Sequence, residues 1–174
     1  MAVLMGGPSA EHDISLKSGH GVVHALIARR WPAEPVVIPK TLSVKSACSF
    51  AEAALRAYRA DVAFIAVHGA FGEDGTIQQV CEALRIPYTG SDPAASRLGM
   101  DKIASRKRFE EAGLLVPGWQ VIDAGARRAA ARERYAYPVV VKPANQGSSL
   151  GVCLVKREEE LADALKMAGQ YGPQ

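Results

Sequence analysis

Four short clusters along the chain carry residue types and spacings that could do chemistry. Gly6-Gly7-Pro8-Ser9-Ala10-Glu11 is a flexible turn that leads into a carboxylate. A carboxylate in the first turn of a helix is favoured by the dipole, so Glu11 either neutralises that helix or holds a cation such as a substrate ammonium. The turn lacks the G-x-G-x-x-G spacing that cradles a dinucleotide pyrophosphate. The second cluster, His68-Gly69-Ala70-Phe71-Gly72-Glu73-Asp74-Gly75, holds three glycines, two adjacent acids and a histidine. One or two glycines suffice for a plain turn. Asp74 or Thr76 could cap the helix that follows, and His68 is either a binding residue or a hydrogen-bonded core residue.

The third cluster is Met100-Asp101-Lys102, with a lysine directly after a natural N-cap. A cation there opposes the helix dipole by about 0.3 to 1 kcal/mol when exposed. A bound phosphate would reverse the sign, because backbone N–H groups and the ammonium would face one anion. The competing reading is a solvated lysine whose small cost is screened by salt. In the fourth cluster, Val139-Val140-Val141-Lys142 runs into a loop from Pro143 to Gly151 containing Gly147, Ser148 and Ser149. Two strands can be joined by a two-residue turn, so the extra length needs a reason. Glycine backbone and serine hydroxyls suit closure over phosphates, although the same residues also make ordinary surface loops. Lys142, at the end of a buried strand, would be a fixed point charge for a phosphate.

The elements that must position these clusters follow from hydrophobic period and punctuation. Val3-Leu4-Met5 reads as a buried strand, and helical spacing resumes at Ile14, Val22, Val23, Leu26 and Ile27. Strands are expected at Pro35 to Ile38, Val62 to Val67 and Pro87 to Thr89, and helices at Ala51 to Tyr58 and Thr76 to Leu84. Strands alternating with helices imply a parallel α/β sheet with three layers and right-handed crossovers, and open sheets of this kind bind ligands beyond the carboxyl ends of their strands. The first two clusters sit at such ends. Near Gly90-Ser91-Asp92-Pro93 the pattern changes, and the next helix is expected from Asp101 to Gly113. Then come a strand at Gly118 to Ile122, an Arg/Ala-rich helical turn, strands at Pro138 to Lys142 and Val152 to Val155, and a helix from Glu158 to Met167. Two strands joined by a loop pair antiparallel, so the second unit is α+β. The domains are expected at 1–92 and 93–174.

Composition excludes several classes. The 174 residues are 48% hydrophobic and 22% charged, the balance of a soluble globular protein. A net charge of +3 is too small to mark a nucleic-acid partner. The apolar run from Val62 to Val67 is far short of the roughly 18 residues a membrane helix needs. Met1 leads straight into a strand without a basic n-region, and Cys48, Cys81 and Cys153 fit neither a disulfide framework nor a zinc spacing, so a reducing cytoplasm is expected.

Taken in order, Gly6 to Glu11 with Ile14-Ser-Leu-Lys-Ser18-Gly19, His68 to Gln78, Pro87-Tyr-Thr-Gly90, Met100-Asp-Lys102 and Val141-Lys142 to Gly151 resemble the D-alanine–D-alanine ligase family of the ATP-grasp superfamily. The resemblance runs from Val3 to about Val155. It implies a small Rossmann-like pre-ATP-grasp domain followed by the first α+β subdomain of an ATP-grasp fold. It also implies an activity in which ATP and Mg²⁺ or Mn²⁺ phosphorylate the carboxylate of one D-alanine and the amine of a second attacks the acylphosphate, giving a peptidoglycan precursor. On this resemblance Glu11 binds the first ammonium and His68 lies near that substrate. Lys102 and Lys142 meet the ATP phosphates, while Gly147, Ser148 and Ser149 form the closing loop. Glu11 and Ser148 are the expected catalytic positions, and all these turns are expected to converge on one pocket. The family continues into a second half with the metal ligands and the oxyanion-stabilising arginine, so no metal ligand is assigned in this chain. The chain is expected to be an amino-terminal portion, inactive alone, from a protein usually found as a homodimer, with no nucleic-acid or membrane partner. The resemblance leaves D-alanine, D-serine and D-lactate as the expected second acceptors. The alternatives are a non-catalytic binding module built from the half-fold and another ATP-grasp carboxylate–amine ligase.

Overall fold

Strand β1 (Ala2–Gly6) is buried at all five positions, as a strand covered on both faces must be. It is the centre of a parallel sheet ordered β2-β1-β3, with β2 at Glu34–Ile38 and β3 at Ala63–Ile65. Ala2 pairs with both Glu34 and Ala63, which sets the register of both neighbours. The computed structural model describes residues 1–122, 135–147 and 149–171. Contacts divide the chain into two units, Met1–Gly99 and Met100–Gln174.

In the first unit the period of two along β1 assigns each face its helices. Val3 and Met5 point to α1 (His12–Ala28), where Val23 is buried and Leu16, Val22 and Leu26 pack alongside. Leu4 points the other way, into a core with Val36, Ile38, Ala47, Ala51, Leu55, Phe71 and Ile77. Ala47, Ala51 and Leu55 form one stripe of α2 (Val44–Ala57), and Ile77 lies on α3 (Thr76–Ala83). Gly19 lets α1 lie close to β1, since a Cβ there would sit 2.5 Å from Met5 Cβ. The result is the expected three-layer α/β arrangement.

Several boundaries differ from the sequence reading, each for a local reason. Helix α2 starts at Val44, not Ala51, because the Ser43 hydroxyl accepts from Ser46 N at 3.2 Å and caps it. Strand β3 is only three residues long. Beyond it the Ala66 carbonyl accepts from the Ser15 hydroxyl instead of from a neighbouring strand. The strand expected at Pro87 to Thr89 is a single bridge, Tyr88 to Ala63, because the Thr89 hydroxyl takes the Ile65 N–H that a longer ladder would use. Helix α4 (Pro93–Met100) stands where the sequence pattern gives no helix. Its signature is Asp92-Pro93, where the Asp92 carboxylate accepts from Ala95 N at 2.8 Å and proline occupies the first helical position.

In the second unit, α5 (Lys102–Glu111) is capped by Asp101, which accepts from Ile103 N and Ala104 N. Strands β4 (Val139–Val141) and β5 (Cys153–Val155) pair antiparallel as expected, Val140 opposite Leu154. A 3-10 turn at Glu158–Glu160 leads into α6 (Leu161–Ala168), whose Leu161 and Ala164 bury against Val155, Val139 and Val141. No strand forms at Gly118 to Ile122. There Trp119 donates its indole N–H to Glu110 at 2.7 Å, and the Arg106 guanidinium lies 5.9 Å from the ring centre. The sheet of this unit is therefore two-stranded among the described residues, not three-stranded. The Arg/Ala-rich helical turn and Ser148 lie outside the described residues.

Candidate functional site

The two glycine-rich turns of the first unit meet beyond the carboxyl ends of β1 and β3. Ser15, fully buried on α1, accepts from Gly6 N at 2.8 Å and donates to the Ala66 carbonyl at 2.7 Å, so one hydroxyl ties the two strand ends. Ser9 repeats the device one layer outward, accepting from Glu11 N at 3.1 Å and donating to the His68 carbonyl at 2.8 Å. His12 Nδ1 lies 2.8 Å from the Gly7 carbonyl and anchors the first turn from below.

Glu11 is the N-cap residue of α1, one position before the first turn where it was expected, and its side chain makes no capping hydrogen bond. Its carboxylate lies over Gly69, filling the space a Cβ at that position would take. Gly69 has φ +71°, which disfavours any other residue independently of the contact. The Glu11 carboxylate thus makes no cap bond, while it stays at the end of α1 where the helix dipole favours a negative charge.

The His68 ring bridges two further groups. Its Nε2 is 2.8 Å from Ser18 Oγ and its Nδ1 is 3.4 Å from Glu73 Oε1, with the side chain one-third exposed. The two acids of the cluster divide their tasks. Glu73 faces the histidine, whereas Asp74 builds the turn by accepting from Phe71 N at 2.8 Å and Thr76 N at 2.9 Å. Asp74 thereby holds Phe71, buried and at φ +77°, in a left-handed conformation costly for an aromatic residue. Gln78 adds a side-chain N–H to the Gly72 carbonyl at 2.8 Å. Ser9, Ser15 and Ser18 were missed as site builders. Their hydroxyl partners lie up to 59 residues away, which no local pattern encodes.

In the second unit Lys102 and Lys142 lie on one cleft of about 840 Å³, with Arg106, Trp119, Val139 and Leu165 among its walls. The Lys102 backbone N–H donates to the Ala144 carbonyl at 3.0 Å and its ammonium donates to the Gln146 carbonyl, so α5 grips the base of the loop after β4. Burial lowers the Lys102 pKa, and the like charge of Lys142 lowers it further. Two cations held beside each other are an arrangement that an anion relieves. Gly147 accepts from Leu150 N at 3.2 Å, and Ser149 is exposed at φ +59°. The structure thus brings Glu11 together with His68, and Lys102 with Lys142, within their respective units. Among the described residues no group of three or more His, Cys, Asp or Glu side chains could hold a metal ion, and no helix is long and apolar enough to cross a membrane.

Two family models match the chain: D-ala D-ala ligase N-terminus over residues 40–91, and D-ala D-ala ligase C-terminus over residues 108–174. The chain belongs to the D-alanine–D-alanine ligase family. The D-alanine–D-alanine ligase of Geotalea uraniireducens is 44% identical over 171 residues, covering 98% of this chain and 52% of that protein. The ligase of Desulforudis audaxviator is 43% identical over 175 residues, covering 99% and 54%. Among solved structures, the ligase of Helicobacter pylori superposes with a TM-score of 0.79 at 26% identity, covering 98% of this chain and 63% of that one. The VanG D-Ala:D-Ser ligase of Enterococcus faecalis gives 0.76 at 28% identity, covering 98% and 59%. The chain spans about half the length of the curated family members it matches.

Proposed function

We propose that the protein carrying this chain joins two D-alanines at the expense of ATP, and that this chain supplies the site for the first D-alanine and part of the site for the ATP phosphates. The observation that supports the reading most directly is that the two turns meet at one sheet edge, with the uncapped Glu11 carboxylate over Gly69, next in the chain to a histidine held by Ser18 and Glu73. Such a carboxylate suits an ammonium, and the histidine, held through both ring nitrogens, shapes the neighbouring wall of the site.

In the reaction a carboxylate oxygen of the first D-alanine attacks the γ-phosphorus of ATP, and ADP leaves with the bridging oxygen. The amine of the second D-alanine then attacks the acylphosphate carbonyl. Inorganic phosphate leaves, and the nitrogen loses a proton as the amide forms. Several negative charges gather in the first step, so the site needs fixed cations more than a covalent nucleophile. Lys102 and Lys142 are assigned that work on the phosphates. Gly147, Ser148 and Ser149 are assigned to the loop that shields the acylphosphate from water. Mg²⁺ or Mn²⁺ is expected from the family, and the described residues offer no ligand cluster for it. The three unpaired thiols are in keeping with a cytoplasmic setting.

The test is ADP release by the full-length protein with D-alanine, with other amino acids, and with D-serine and D-lactate as second acceptors. Glu11→Gln should raise the KM for the first D-alanine about tenfold or more while the KM for ATP stays within about twofold. An equal loss of both would count against the assignment of Glu11. Release with another amino acid but not D-alanine would favour a different carboxylate–amine ligase, and binding of D-alanine without any ADP release would favour a non-catalytic module.

A further inference from the structure

Glu11 faces a constraint that its own side chain does not solve. It stands at the N-cap of α1 with its carbonyl in the helix, but its carboxylate makes no capping bond that would hold the side chain. Its backbone follows a turn of Gly6 and Gly7, both at positive φ, that is tied by hydrogen bonds to Ser15, Ile38 and His12 and, among the described residues, to nothing in the second turn. Yet the carboxylate must lie over Gly69, in the other turn. The group that spans the interval is the Ser9 hydroxyl. Its oxygen accepts from Glu11 N at 3.1 Å while its proton goes to the His68 carbonyl at 2.8 Å.

Both functions of the hydroxyl are used, one on each turn, and they are used on the backbone of the two residues that carry the site. A hydroxyl is the smallest group that can accept and donate at once. Alanine would remove both bonds and leave the Glu11 N–H and the His68 carbonyl each short of a partner. Ser15 cannot substitute, because its own pair of bonds already ties Gly6 to Ala66 one layer deeper.

We propose that Ser9 is a positioning residue for the first D-alanine: it couples the Glu11 turn to the His68 turn, so that the carboxylate and the imidazole keep one mutual geometry. This rests on the reading of Glu11 as the ammonium-binding group. Ser9 itself touches no substrate, and it acts through the backbone of the two residues assigned to do so.

The experiment uses the full-length protein with Ser9→Ala, Ser9→Thr and Glu11→Gln. Amide hydrogen exchange at residue 11 reports the bridge without any activity. Exchange should quicken about tenfold in Ser9→Ala and return to near the parent rate in Ser9→Thr, which keeps the hydroxyl. In steady-state ADP release, Ser9→Ala should raise the KM for the first D-alanine about tenfold, leave the KM for ATP within about twofold, and be rescued by Ser9→Thr. Unchanged exchange in Ser9→Ala overturns the bridge. Faster exchange with an unchanged D-alanine KM, or with an equal rise in the ATP KM, overturns the positioning role. A Glu11→Gln enzyme with an unchanged D-alanine KM removes the underlying reading and the role of Ser9 with it, and the exchange result separates that failure from a failure of the bridge.

Discussion

Gly69 and Lys102 each occupy a position where a neighbour decides what the residue can be. At Gly69 the neighbour is the Glu11 carboxylate, and the backbone is left-handed as well. Gly69→Ala should therefore strain the turn and push the carboxylate aside, raising the KM for the first D-alanine about tenfold in the full-length protein. An unchanged KM would show that the carboxylate does not need that place. At Lys102 the neighbour is Lys142, the second of the two causes that lower its pKa. Lys142→Met removes the like charge and leaves the burial, so the Lys102 ammonium should lose its proton at a higher pH than in the parent, as read by side-chain nitrogen or carbon NMR. A midpoint that stays put or falls would mean that the two lysines do not feel each other.

At the scale of the element, α1 contains a natural pair of controls. Both Gly19 and Gly21 are helical, and alanine is intrinsically preferred in a helix interior by about 0.8 to 1 kcal/mol. At Gly21 nothing lies within 4 Å of an added Cβ, so Gly21→Ala should stabilise by about that amount. At Gly19 the added carbon would meet Met5 at 2.5 Å, and the clash outweighs the propensity. Gly19→Ala should destabilise by about 1 to 3 kcal/mol, as overpacking does. Denaturant midpoints of the two variants should move in opposite directions, and a shared direction would refute the close packing of α1 on β1. The element boundaries teach the same lesson. The alternation at β1, α1, β2, α2, β3 and α3 was legible because buried faces repeat with a period of two or 3.6. The ends of β3 were not, because the Ser15 and Thr89 hydroxyls take backbone groups that a longer ladder would use, and the absence of a strand at Gly118 to Ile122 has no local signature.

For the molecule as a whole, the buried Cys81 thiol makes stability depend on pH on the alkaline side. Burial pushes the Cys81 thiol from its ordinary 9.0 up to about 11. Between those values the unfolded chain has released the proton and the folded chain still holds it. Stability contributed by the neutral buried thiol is therefore complete below pH 9 and lost as pH rises through the window, at up to about 1.4 kcal/mol per pH unit. Urea unfolding between about pH 8 and pH 10.5 should show a steeper decline in the parent than in Cys81→Ala, and parallel declines would mean that the thiol is not the source.

The order of the motifs along the chain, the alternation of elements and the residue types of the site were all present in the amino-acid sequence, since each depends on backbone preferences and side-chain periods over a few neighbouring residues. Glu11, His68, Lys102 and Lys142 stand out as candidates in that way, and their roles come from the family resemblance. Which atoms of those residues meet, and through which intermediaries, was decided only by the folded chain. Ser9 reaches His68 across 59 residues and Ser18 reaches it across 50, and hydrogen bonds of that span exist only once the sheet has brought the two turns to one edge.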